Sequence, residues 1–81
     1  MERSWLDNRV RSRRKAVGGL TQAELAALAG VTRQTIVAIE HGKHAPSVAL
    51  ALKLASALSC QVEDLFVLRQ EAPEAPIPGP D

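Results

Sequence analysis

Residues 21–43 read Thr21-Gln22-Ala23-Glu24-Leu25-Ala26-Ala27-Leu28-Ala29-Gly30-Val31-Thr32-Arg33-Gln34-Thr35-Ile36-Val37-Ala38-Ile39-Glu40-His41-Gly42-Lys43. The stretch carries its own punctuation. Thr21 and Glu24 have the spacing of a capping box. The Thr21 hydroxyl accepts from the Glu24 amide, and the Glu24 carboxylate reaches back to the Thr21 N–H. Apolar Leu25, Leu28 and Ala29 follow at i, i+3 and i+4, and Gly30 ends a short helix. After one linker residue, Val31, Thr32 offers a second N-cap. Ile36 and Ile39 repeat the helical spacing, and Gly42 closes the second helix. The segment is two short helices joined by a tight turn, and the rest of the chain must supply the surface they pack on.

Outward from this pair the signals stay helical. Asp7 is positioned to cap a first helix from about residue 8 to 17, which Gly18-Gly19 ends. Its apolar stripe is thin: Leu6, Val10 and Val17. Pro46-Ser47 opens a fourth helix that runs through Leu58 and is apolar nearly all round. Such a helix needs two burial surfaces, here the domain core and a partner subunit. Residues 61–66 read as a short fifth helix with Glu63 and Asp64 in its first turn, where they suit the helix dipole. Val67-Leu68 either extends it or runs out as a short strand. Residues 70–81 hold four of the five prolines and one large apolar residue, Ile77. The expected architecture is an all-α, compact five-helix domain over residues 1–69. A disordered, Pro-rich acidic tail follows over 70–81.

Composition narrows the function. With 81 residues, 46% of them hydrophobic, the chain makes one small domain. No apolar run approaches the roughly 18 residues of a membrane span, and residues 1–9 do not read as a signal peptide; a cytoplasmic location is expected. Cys60 is the single cysteine, so no internal disulfide or thiolate zinc site is expected. It reads as a small buried hydrophobe. Tyrosine is absent and Trp5 and Phe66 are the sole aromatics, which excludes a stacking platform for single-stranded nucleic acid. Residues 1–60 carry nine basic and four acidic side chains, a net of +5. Residues 61–81 carry one basic and five acidic, a net of −4. A basic body with an acidic end suits a polyanionic partner on one face. No Ser/His/Asp or Cys/His set stands at a plausible site, and Gly18-Gly19 lacks the lysine motif of a phosphate loop, so the chain does not read as an enzyme. His41 and His44 lie across a Gly-Lys loop with no third ligand nearby in sequence, so neither a metal nor a cofactor is expected.

Two helices with a glycine-containing turn describe a helix-turn-helix. Residues 21–43, with Pro46-Ser47, the Leu54–Leu58 run and Val62-Glu63-Asp64-Leu65-Phe66, resemble the phage-repressor-like (Cro/CI, XRE-type) helix-turn-helix family. The resemblance covers about residues 8–66. It implies double-stranded DNA as partner, with the second helix of the motif in the major groove. Thr32, Arg33, Gln34 and Thr35, then Val37 and Ala38, are the implied base-reading residues. The Arg33 fork matches guanine O6 and N7, and the Gln34 amide matches adenine N6 and N7. Val37 and Ala38 offer apolar contact only. The implied phosphate contacts are Gln22 at the head of the first motif helix, His41, Lys43 and His44 in the following loop, and Arg9 of the first helix. The family pattern also implies an ion pair between Glu40 and an arginine of the first helix, placed at Arg14. Three departures stand out: Gly18-Gly19 makes a turn one residue longer than usual, His41 replaces the usual asparagine, and Ser59 replaces a glycine that often ends the fourth helix.

The expected function is sequence-specific DNA binding as a homodimer on an inverted-repeat operator, as a transcriptional regulator acting as a repressor. Leu50, Leu54, Val62, Phe66 and Leu68 form the expected dimer surface, and Trp5 is expected to pack back near Phe66. An alternative is an antitoxin-type interaction protein. It would neutralise a partner protein through residues 67–81 and use DNA binding to control its own operon.

Overall fold

Backbone groups at helix ends need partners, and in this chain short polar side chains supply them at several helix starts. The computed structural model describes residues 6–68. The elements in chain order are β1 (Leu6–Asn8), α1 (Val10–Ala16), α2 (Gln22–Ala29), α3 (Arg33–Glu40), α4 (Val48–Ala57), α5 (Val62–Leu65) and β2 (Phe66–Leu68). The tail over 70–81 and the placement of Trp5 lie outside the described residues. At α2 the capping box is complete. The Glu24 N–H donates to Thr21 Oγ1 at 3.0 Å, and the Thr21 N–H donates to Glu24 Oε1 at 2.8 Å. Thr32 caps α3 by accepting from the Thr35 N–H, and Ser47 caps α4 by accepting from the Leu50 N–H.

The other ends of α2, α3 and α4 close in one manner. A residue with positive φ lets the next N–H reach back to the last turn: Val31 to Ala26, Lys43 to Ala38 and Cys60 to Ala55. Glycine holds the positive φ at 30 and 42, but after α4 it is Ser59, at φ 56°. A side chain there meets its own carbonyl. Arg13 of α1 covers the same corner. Its guanidinium donates to the carbonyls of Leu58 (3.3 Å) and Ser59 (3.1 Å), a cation at the negative end of the α4 dipole. Arg13 is therefore a structural clamp and not the solvated residue that an Arg-rich run suggests.

The start of the chain departs from expectation. Asp7 does not cap α1. Residues 6–8 are instead extended and pair antiparallel with β2, Leu6 opposite Leu68 and Asn8 opposite Phe66. The Arg9 N–H continues this link to the Leu65 carbonyl at 2.8 Å, and α1 begins two residues later than its pattern suggests. The N-cap position is Arg9, which makes no side-chain cap bond, and Asn8 braces the helix start from one residue further out. Its Oδ1 accepts from the Val10 N–H at 3.2 Å while its Nδ2 donates to the Ile39 carbonyl at 2.9 Å. Of the two readings of Val67-Leu68, the strand is the one observed.

The core is built where the five helices meet, from Val10, Leu25, Ile36, Ile39, Leu58 and Leu65 with small alanines between them. Leu54 belongs to it as well, at 0% exposure. That corrects its assignment to a dimer surface: α4 turns Leu54 inward against α2 and α5, so no second molecule can reach it. Leu50, Val62 and Phe66 are half-buried and pack on the same core, while Leu68 is 71% exposed. Cys60 also packs partly against the core, as a small apolar group does. Leu28, which the helical spacing groups with Leu25 and Ala29, is instead exposed, as are Val48 and Leu52 of α4. No helix among the described residues is long and apolar enough to cross a membrane.

Replacing Ser59 by glycine removes the side chain from a left-handed position. Ser59→Gly is expected to raise the unfolding free energy by about 0.5–1 kcal/mol in urea denaturation. An unchanged or lower value would mean that the Arg13 clamp already relieves the corner.

Candidate nucleic-acid interface

The α2–turn–α3 unit sorts the residues of α3 by face. Ile36 and Ile39 point inward and are fully buried. Helical spacing puts Gln34, Val37, Ala38 and His41 on the opposite side. Arg33, Gln34 and His41 are exposed, and Val37 and Ala38 are half-exposed. Thr32 and Thr35 are committed locally: their hydroxyls lie 3.2 Å apart, and Thr32 also accepts from the Thr35 N–H. Lys43 and His44 are exposed in the loop that follows α3, and Arg9 is exposed at the head of α1. Arg33 and Gln34 thus stand exposed on the first turn of α3, and Lys43 and His44 follow beyond its end.

Behind this surface sits a buried charge pair. Arg14 Nε donates to Glu40 Oε2 at 2.8 Å and Arg14 Nη2 donates to Glu40 Oε1 at 3.1 Å, with side-chain exposures of 9% and 3%. The remaining Arg14 nitrogen, Nη1, donates to the Leu20 carbonyl at 2.8 Å. The Leu20 N–H in turn donates to the Arg14 carbonyl at 3.1 Å. Gly18 and Gly19, at φ 70° and 69°, make this return possible. The extra glycine thus leaves Arg14 in place, because Arg14 holds both polar groups of Leu20.

Burial alone would push the Glu40 carboxyl upward, but the hydrogen bonds from Arg14 and Gln22 and the charges of Arg14 and Arg11 outweigh it. The group is held below its ordinary value of 4.5. Arg14 is raised in turn, chiefly by its hydrogen bond to Glu40 and against the effect of burial. A carboxyl lowered by folding stabilises the fold fully above its ordinary value. It loses that contribution as pH falls through the lower, folded-state value.

Gln22 differs most from its sequence reading. Its Nε2 donates to Glu40 Oε1 at 3.0 Å, and its Oε1 accepts from Arg33 Nη2 at 3.0 Å. An unbroken polar line therefore runs from α1 through Glu40 and Gln22 to the start of α3. An open cleft of about 620 Å³ lies beside it, with Arg11, Lys15 and His41 around Glu40 and Gln22. The sequence does not single out Arg11 and Lys15; the turn of α1 that aims them at this cleft has no local signature. Among the described residues no cluster of three metal-ligating side chains occurs.

Comparison with known proteins agrees with this geometry. A family model described as helix-turn-helix (HTH_3) matches residues 10–65. The chain is 49% identical over 63 residues to a protein of Methanothermobacter thermautotrophicus named as an HTH-type transcriptional regulator. That match covers 76% of this chain and 90% of the relative. The restriction-modification controller protein C.AhdI from Aeromonas hydrophila is 36% identical with a TM-score of 0.63, over 68% of this chain and 82% of that one. The P22 c2 repressor, solved in complex with a synthetic operator, is 31% identical with a TM-score of 0.63, over 67% and 80% of the two chains. The two-helix unit with its capped ends defines a helix-turn-helix protein. The chain belongs to the phage-repressor-like (Cro/CI, XRE-type) family of that class.

Removing one partner of the buried pair strands the other. Glu40→Ala is expected to lower the unfolding free energy by about 3–5 kcal/mol at neutral pH. The difference from the unsubstituted protein should shrink as pH falls below the ordinary carboxyl value of 4.5 and Glu40 is protonated in the fold. Urea denaturation at several pH values tests this; a difference that does not change with pH would show that the carboxylate carries none of it.

Proposed function

We propose that the protein is a sequence-specific double-stranded DNA-binding transcriptional regulator, a homodimer that acts as a repressor on an inverted-repeat operator. The observation that carries this reading is the exposed start of α3, with Arg33 and Gln34 free of the core, and exposed Arg9 and Lys43 near the far end of the same helix. An α-helix fits the major groove, and its first turns reach base edges. Arg33 reads guanine, Gln34 reads adenine, and Val37 and Ala38 meet thymine methyls. Arg9, His41, Lys43 and His44 contact phosphate, and Arg11 and Lys15 join them at the rim of the cleft. The named function of the Methanothermobacter relative and the operator-bound P22 c2 repressor support the same reading.

One small domain buries little surface on DNA, and two half-sites supply the affinity that one lacks. The dimer surface is centred on exposed Leu68 with the half-buried Leu50, Val62 and Phe66 beside it, near the β1–β2 pair.

In vitro selection from random duplexes tests the function. It should enrich an inverted repeat with half-site centres about 10 base pairs apart, or a multiple. Failure to enrich any sequence at low salt would overturn the reading. Arg33→Ala should weaken binding by about 1–3 kcal/mol and relax preference at one base pair per half-site. Lys43→Ala should weaken all sequences alike and make the salt dependence shallower by about one ion.

The dimer surface is tested separately by sedimentation. Leu68→Asp should give monomers, whereas Leu52→Asp on α4 should leave the dimer intact. The opposite result would move the interface to the face with Leu28, Val48 and Leu52.

A further inference from the structure

Charge is divided along the chain, and DNA binding accounts for the basic part alone. Residues 70–81 carry Glu71, Glu74 and Asp81 and no basic residue. They follow β2, and the surface beside β2 is cationic. Val67 lines a cleft together with Arg9 and His41. A second cleft shares Arg9 and continues to Arg11 and Lys15. The 620 Å³ cleft shares Arg11 and Lys15 in turn and ends at Gln22. One groove therefore runs from the strand that carries the chain out of the domain to the head of α2. Arg14 and Glu40 neutralise each other in its wall. Arg9, Arg11 and Lys15 are exposed and have no ion-pair partner among the described residues. Asp7 is the acid at the near end.

The segment is long enough to lie along this groove. Leu68 stands opposite Leu6, so Arg9 is about 10 Å away along β1. Lys15 is about 9 Å further along α1. An extended Pro-rich chain spans about 3.1 Å per residue, which lets Glu74 reach about 19 Å from Leu68 and residue 81 about twice that. Tethering also gives the acids an effective concentration at the groove in the millimolar range.

We propose that residues 70–81 occupy this groove as an internal competitor of DNA: their carboxylates pair with Arg9, Arg11 and Lys15, and DNA displaces them to seat its phosphates there. The competing ligand rests on the reading that DNA phosphates lie along α1. Pairs between exposed charges are individually weak, so the segment yields to DNA and does not block it. Because the groove holds phosphates, the competition carries no sequence information. It lowers the affinity for every duplex by one factor, which keeps the selected operator bound and releases DNA that offers phosphates alone.

The full chain with Glu71→Gln, Glu74→Gln and Asp81→Asn tests this, since residues 6–68 are unchanged in it. Without DNA, at about 50 mM salt, the backbone amide resonances of Arg9, Arg11, Lys15 and His41 should differ between the two proteins, and those of α4 should coincide. The differences should vanish near 1 M salt, where screening acts within about 3 Å. At low salt the neutralised protein should bind a duplex of unselected sequence about 3- to 10-fold more tightly. Arg11→Gln with Lys15→Gln, placed in both proteins, should remove most of that gain.

Unchanged groove resonances would overturn the proposal whatever the DNA result. Differences centred on Leu52 of α4 would put the segment on the apolar face instead, and differences lost on dilution would put it in the groove of a second copy; either overturns the proposal. A gain that survives Arg11→Gln and Lys15→Gln would make the acids a source of repulsion at a distance and overturn it too. If the groove differences are present and neither protein binds DNA, the docking stands and the proposed function falls.

Discussion

A carboxylate with 3% of its side chain exposed is untenable unless its oxygens are filled, and Glu40 has three donors on two oxygens. Those donors arrive from α1 and α2, while Glu40 itself belongs to α3. The arginine that supplies two of them spends its remaining nitrogen on the turn between α1 and α2. Three helices and a turn therefore meet at one group, and the bonds close together in one relative arrangement of the helices. An apolar cluster of the same size would hold the helices together with comparable strength, but it would tolerate sliding, because burial has no direction. The ion pair fixes angles that hydrophobic packing leaves loose.

That division of labour extends through the domain. Apolar side chains of α2, α3, α4 and α5 supply adhesion. The polar groups are spent on orientation: capping side chains at helix starts, Arg13 at the end of α4, and Asn8 between β1 and α3. As a result the outer face of α3 owes nothing to the core and is free to carry chemistry. The network beneath connects that face to the interior, so the domain presents a surface whose side chains are already partly arranged.

The features legible in the sequence are those governed by local rules. Thr21, Thr32 and Ser47 mark helix starts because a hydroxyl satisfies an amide two or three residues away. Gly30 and Gly42 mark the ends for an equally local reason. Arg14 and Glu40 are 26 residues apart, and their pairing is readable only through the resemblance to the family. The features that escape depend on distant partners. β1 is three residues long, and its strand character comes from β2 at the other end of the domain, so Leu6 and Asp7 read as the start of a helix. Leu54 and Leu50 are both apolar on α4, and only the packing of α2 and α5 shows which one is enclosed. Gln22 sits where a phosphate contact is expected; that both its amide ends are taken by α3 follows from tertiary placement alone. Arg13, within a run of like charges, gives no local sign that it reaches the end of α4.

The pairing of β1 with β2 sets the route of the polypeptide. Leu6 lies opposite Leu68, so the chain enters and leaves the domain at one edge of a two-stranded ribbon that encloses all five helices in a single loop. Tension applied through the two ends would load this ribbon in the unzipping direction. Its few hydrogen bonds would break in succession rather than resist together. The strands would peel away first, and the helical body with the outer face of α3 would bear load only after the ribbon had opened. The fold thus has a mechanical fuse, placed where traction on anything attached at either end is felt first.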